Sequence, residues 1–107
     1  MGFSAKLQIE GNTATITLAG ELDGASAGAF KIEVENAAKS GAKRLVLMME
    51  ELEYMASAGL RVLIFAKQKM GADADIYVVA PQEMVLDTLE KTGFSQGVII
   101  QDQYQAA

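Results

Sequence analysis

Ser57, Gly59 and Asp23 are the residues whose types and settings could carry chemistry. Residues 45–49 form an aliphatic run, residues 50–56 lead out of it, and Ser57-Ala58-Gly59-Leu60-Arg61 opens a helical pattern. A helix whose first turn is built from Ser57, Ala58 and Gly59 leaves backbone N–H groups without intrahelical partners. A serine at the cap can accept one of them, and that is the ordinary use of a serine there. The same N–H groups and the positive end of the helix dipole also stabilise an anion. A phosphate on Ser57 would add about −1.5 to −2 charges next to groups able to receive it. Gly59 lets another backbone approach the helix start, which suits an enzyme reaching for Ser57 and suits packing of the helix on a sheet equally well.

Asp23 ends the segment Leu18-Ala19-Gly20-Glu21-Leu22-Asp23 and precedes Gly24. By itself it reads as the close of a strand and a good N-cap for the helix beyond. Ser26 is a second cap candidate and a rival hydroxyl. Its place in the first turn of a different helix makes it the poorer acceptor.

The chain has no histidine and no cysteine. That removes Ser/His/Asp and Cys/His nucleophiles, histidine proton shuttles and the usual zinc ligand sets, so neither a catalytic residue nor a metal or cofactor is expected. The net charge is −5 and Lys43-Arg44 is the one adjacent basic pair, which leaves no basic stripe for nucleic acid. No apolar run reaches the ~18 residues that cross a membrane, and residues 1–6 lack a signal-peptide pattern. The expectation is a cytoplasmic protein with protein partners, monomeric when free.

The elements that must position these residues follow from hydrophobic periodicity. With 107 residues, half of them apolar, the chain fits one domain over 1–107. Residues 7–9 and 14–18 alternate around Gly11-Asn12 and read as a hairpin; residues 25–39 read as a helix with Ala29, Ile32, Val34 and Ala37 or Ala38 on its apolar side. Residues 44–49 read as a central strand buried on both faces. Helix 57–70, strand 75–79, helix 82–91 with Met84, Val85, Leu86 and Leu89 apolar, and strand 97–100 complete the order ββαβαβαβ. Right-handed crossovers then favour an α/β fold with one mixed, mostly parallel sheet and helices packed on it. Residues 101–107 read as a polar tail, mobile or weakly docked. In helix 57–70, Leu60, Leu63 and Ile64 are expected to face the sheet, leaving Val62, Phe65 and Ala66 partly on a partner-facing side.

Three segments in this order, Gly20-Glu21-Leu22-Asp23, residues 45–54 and Ser57-Ala58-Gly59-Leu60-Arg61-Val62-Leu63, resemble the STAS domain of bacterial anti-sigma-factor antagonists. The resemblance covers nearly the whole chain. It implies a partner-switching protein that binds an anti-sigma factor, itself a serine kinase, until the kinase phosphorylates the loop serine; a PP2C-type phosphatase resets the system. It places the phosphoacceptor on Ser57 and the partner surface on Asp23, Ala56, Ser57, Ala58, Gly59, Arg61, Val62 and Phe65. Where many antagonists carry Asp or Ser before the acceptor, this chain has Ala56, and Glu50 or Glu51 stands where an aspartate often ends the central strand. The alternative implied by the same family is a constitutive accessory subunit of a lipid-transport ATPase or other complex.

Overall fold

The computed structural model describes residues 2–104. The hairpin forms as β1 (Phe3–Glu10) and β2 (Thr13–Leu22), paired antiparallel from Glu10↔Thr13 out to Phe3↔Gly20. Gly11, at φ 58°, supplies the positive φ that a two-residue hairpin turn demands. Then follow α1 (Ala27–Lys39), β3 (Arg44–Met55), α2 (Ser57–Met70), β4 (Asp75–Val79), α3 (Glu83–Lys91), a 3-10 turn (Phe94–Gly97) and β5 (Ile99–Gln101). The five strands lie in the order β1-β2-β3-β4-β5, with every pair after the hairpin parallel. This is the mixed α/β sheet expected, in the order ββαβαβαβ.

The helices contribute to one continuous core with Ile16, Leu18, Leu45, Leu47, Ile76 and Val78 of the sheet. Phe30, Val34 and Ala37 of α1, Val62, Leu63 and Ala66 of α2, and Val85 and Leu89 of α3 all belong to it. Strand alternation sends Val46, Tyr77 and Val79 to the opposite face, where Met48, Ala80 and Tyr104 cover them. β3 is thus buried on both sides, Leu45, Val46 and Leu47 being at most 1% exposed. In the tail expected to be mobile or weakly docked, Gln101 pairs in β5, and the Tyr104 ring stands edge-on to Tyr77 at 5.1 Å and 84°. Residues 105–107 of that tail lie outside the described residues.

Two helix faces differ from the sequence reading. α1 turns Phe30 inward and leaves Ile32 56% exposed; α3 leaves Met84 59% exposed. In each, the residues at i and i+4 (Phe30 and Val34, Val85 and Leu89) form the inner stripe, and an aliphatic residue off that stripe stays in water.

β3 runs to Met55, six residues past the expected end at Met49, because β2 continues beside it as far as Leu22. Its apolar residues there, Met49, Leu52 and Met55, are three apart, a spacing a regular strand cannot bury on one side. Two register shifts resolve this. From Thr17↔Met48 to Ala19↔Glu51, β3 advances three residues against two in β2; from Gly20↔Leu52 to Glu21↔Tyr54, it advances two against one. Each extra residue is a bulge that flips the following side chains, so Met49, Leu52 and Met55 are all inside, at 0%, 0% and 3% exposure. Gly20, opposite these bulges, sits at φ 91°, and a Cβ on it would lie 2.1 Å from the Gly2 carbonyl oxygen. The glycine of Gly20-Glu21-Leu22-Asp23 is a backbone requirement.

Candidate functional site

The site stands at the C-terminal ends of β2 and β3. Because the two strands are parallel, with Leu22 opposite Met55, the Asp23 turn and the start of α2 leave the sheet side by side. The Ala56 N–H donates to the Leu22 carbonyl at 2.8 Å. Gly59 sits directly on the Leu22 side chain: a Cβ there would lie 2.7 Å from Leu22 Cδ2 and 3.0 Å from Met55 Cγ. Of the two uses open to Gly59, the structure shows helix-to-sheet packing.

Ser57 does not cap α2. The N-cap is Ala56, at φ −87° and ψ 173°, and it has no side-chain acceptor to offer. Its carbonyl takes the Gly59 N–H at 2.9 Å and the Leu60 N–H at 3.3 Å. Ser57 is the first helical residue and is exposed, and its hydroxyl makes no hydrogen bond among the described residues. A serine one place past the cap points into solvent, whereas at the cap its oxygen would be drawn back to the N–H groups. The result is a free hydroxyl at the positive end of a helix of 14 residues.

Asp23 is the opposite case. Its Oδ1 accepts from the Ala25 N–H at 3.0 Å and the Ser26 N–H at 3.1 Å, and lies 3.0 Å from Ser26 Oγ. Ser26 Oγ accepts in return from the Asp23 N–H at 2.8 Å and lies 2.8 Å from the Glu21 carbonyl, so its one proton is shared between that carbonyl and Asp23 Oδ1. The Ser26 hydroxyl, then the Ser26 N–H, hold the Asp23 carboxyl below the usual carboxylate range. This is a capping box in miniature, with aspartate and serine three residues apart satisfying each other's backbone. The Ala27 N–H already reaches the Asp23 carbonyl at 2.9 Å, so Asp23 caps a turn that feeds α1, while regular α1 begins two residues later than the sequence suggests.

The orientation of α2 corrects the expected partner face. Gly59, Val62, Leu63 and Ala66 are buried, while Ile64 is 49% exposed. The close seat of Gly59 on Leu22 sets this rotation, and the stripe at i, i+3, i+4 and i+7 follows from it. Val62 and Gly59, expected at the partner surface, lie in the core and offer no surface. Phe65 is half-buried, with Lys31 Nζ 4.8 Å and Lys69 Nζ 6.0 Å from its ring centroid. Two lysines therefore cover it. Ala56 and Ala58 are half-buried beside Ser57, and Arg61 is exposed.

A shallow apolar groove of about 240 Å³ opens beside Ser57, lined by Ser57, Leu60, Arg61, Ile64, Thr92 and Phe94. Thr92 and Phe94 were not legible as site residues, because they arrive from the far end of α3. Lys67 Nζ donates to the Gly97 carbonyl and ties the 3-10 turn carrying Phe94 to α2. Glu21 of β2 and Glu50, Glu51 and Glu53 of β3, on the two strands that end at the site, are all exposed. Among the described residues no cluster of three or more carboxylates is arranged to hold a metal ion, and no helix is long and apolar enough to cross a membrane.

This sheet order, with a two-sided β3 that bulges opposite Gly20 of β2 and a helix opening on Ser57, defines the class: the chain belongs to the STAS domain family, whose model matches residues 4–107. It is similar in structure to an anti-sigma-factor antagonist from Mycobacterium paratuberculosis, with a TM-score of 0.87 at 19% identity over 95% of this chain and 87% of that one. It is also similar to the anti-sigma-factor antagonist SpoIIAA in its unphosphorylated form, with a TM-score of 0.80 at 18% identity over 91% of this chain and 87% of that one. Against the Bacillus cell-fate determinant SpoIIAA in the phosphorylated form the TM-score is 0.72 at 18% identity, over 91% and 90% of the two chains. At these identities the likeness is one of fold. No curated protein sequence matches this one significantly.

Proposed function

We propose that this protein is a bacterial anti-sigma-factor antagonist that works by partner switching in the cytoplasm. Unphosphorylated, it binds an anti-sigma factor that is itself a serine kinase. That kinase transfers the γ-phosphoryl group of ATP to Ser57: the Ser57 Oγ–P bond forms, the bond from phosphorus to the β–γ bridging oxygen breaks, and the hydroxyl proton passes to a base of the kinase. The complex then dissociates, and a PP2C-type phosphatase hydrolyses the phosphoserine. The observation that carries the proposal is the free, exposed Ser57 hydroxyl at the start of α2, next to the Asp23 turn, in a STAS domain.

The binding surface comprises the Asp23 turn, Ala56, Ser57, Ala58 and Arg61, and the groove of Leu60, Ile64 and Phe94. Ser57 lines that groove itself, so a kinase that brings its ATP to Ser57 Oγ also covers Ile64 and Phe94. Phosphate adds about −1.5 to −2 charges in the middle of this contact and must be solvated or paired there, which opposes re-docking. The Ser57 and Ala58 N–H groups of the α2 first turn, left without a side-chain cap by Ala56, stabilise the phosphorylated form.

Incubation of the purified protein with its cognate anti-sigma kinase and ATP is expected to add one phosphate, read by intact mass and mapped to Ser57. Ser57→Ala is expected to abolish it while moving stability by no more than about 0.5 kcal/mol, as for an exposed side chain without partners. Undiminished phosphorylation of the alanine variant removes the site assignment. Absence of phosphate in the native cells under every condition, together with stable co-purification of an ATPase, favours the accessory-subunit reading instead.

A further inference from the structure

We infer that Ser26 is a positioning residue for Ser57, acting through Leu22. The inference rests on the reading of Ser57 as the acceptor and adds a residue that reading does not use.

The Ser26 hydroxyl spans Leu22. On one side it lies 2.8 Å from the Glu21 carbonyl, and on the other it accepts the Asp23 N–H at 2.8 Å. Glu21 and Asp23 are the immediate neighbours of Leu22, so one side chain clamps the backbone before and after it. Asp23 Oδ1 closes the same turn from within by taking the Ala25 and Ser26 N–H groups. Leu22 in turn makes both contacts that seat the start of α2. Its carbonyl accepts the Ala56 N–H at 2.8 Å, and its fully buried side chain is the floor on which Gly59 rests. Ala56 and Gly59 flank Ser57 in sequence. A change in the dihedral angles of Leu22 therefore moves the acceptor hydroxyl, although Ser26 itself belongs to the entry of another helix.

A local role would end at α1: Ser26 stands at its N-cap position, and its loss would loosen only residues 23–30. The Leu22 link carries the effect across to β3 and α2. Transfer of phosphate needs the nucleophile held in line, so a loosened Ser57 costs turnover more than affinity.

The experiment compares wild type, Ser26→Ala and Ser26→Thr, the last retaining a hydroxyl. Amide hydrogen exchange of the free protein by NMR is expected to show the Ala56 N–H exchanging about tenfold faster in S26A, with the Phe30–Ala37 core of α1 still protected. Phosphoryl transfer from the cognate kinase is expected to fall about fivefold in kcat with KM nearly unchanged, the size of effect expected when a neutral hydrogen bond is lost. S26T is expected to recover both to within about twofold. Ala56 exchange that stays at the wild-type rate in S26A, or an S26T variant as impaired as S26A, overturns the inference. If wild-type protein takes no phosphate on Ser57, the functional reading fails by itself. The exchange measurement, which needs no kinase, still decides whether the clamp reaches Ala56.

Discussion

The two helices that begin beside the sheet's C-terminal edge start in opposite ways. α1 is entered through a closed turn, in which Asp23 and Ser26 satisfy each other and three backbone N–H groups. α2 begins on Ala56, which has no side chain able to cap, and its serine, one residue later, is left unpartnered among the described residues. Both starts carry a serine, yet only one hydroxyl is free to react. A serine whose lone pairs and proton are already used is part of the scaffold. A serine at a helix start without a partner keeps its hydroxyl open to solvent.

The difference between the two helices can be broken at their outer faces. Ile64 on α2 and Ile32 on α1 are similarly exposed isoleucines, at 49% and 56%. Ile64→Asp is expected to weaken binding of the anti-sigma kinase by more than about tenfold, as for an apolar anchor lost from the centre of an interface. Ile32→Asp is expected to leave binding unchanged, since α1 presents no groove next to Ser57. Equal losses by isothermal titration would mean that the groove has no special part in docking.

Giving α2 the kind of start that α1 has sharpens the comparison. Ala56 already has the extended backbone of an N-cap, so Ala56→Ser is expected to raise stability by about 0.5–2 kcal/mol in urea unfolding. On the proposed function, the added hydroxyl competes for the same N–H groups that would receive a phosphate on Ser57, so the phosphorylated form is expected to gain less from the substitution than the free form. A gain equal in both forms would show that the first-turn N–H groups do not serve the phosphate.

The smallest effect concerns the closed turn alone. The folded Asp23 carboxyl titrates below its ordinary 3.8. Its contribution is therefore fully present above that value and is lost as pH falls through the lower, folded one. A carboxyl-carbon NMR titration is expected to give a midpoint under 3.8, with the Ser26 amide shift following the same curve. A midpoint at or above 3.8 would mean that the Asp23–Ser26 pairing does not persist in solution.

Much of this site could be read before folding. The aliphatic run at 45–49, the helix signal after it and the glycine turns were strong enough to place Ser57 at a helix start and Asp23 at a strand end. The face of α2 was not legible, because residues 60–66 are apolar at so many positions that two inner stripes satisfy the same pattern. Contact between Gly59 and Leu22 chose between them, sending Val62 inward and Ile64 outward. The length of β3 was hidden for a related reason: Met49, Leu52 and Met55 match no strand period until two bulges, specified by pairing with β2, bring them into phase.

The order of elements, the mixed sheet and the place of Ser57 at a helix start depend on local periodicity and helix and turn signals, and the sequence by itself determined them. Which hydroxyl is bound and which is free, and which residues of α2 and the Phe94 turn share a groove, depend on contacts between segments far apart in the chain. Those were decided only when parallel pairing of β2 and β3 brought Leu22 against Ala56 and Gly59, since a hydrogen bond or a close packing contact has no signature until both partners are in place.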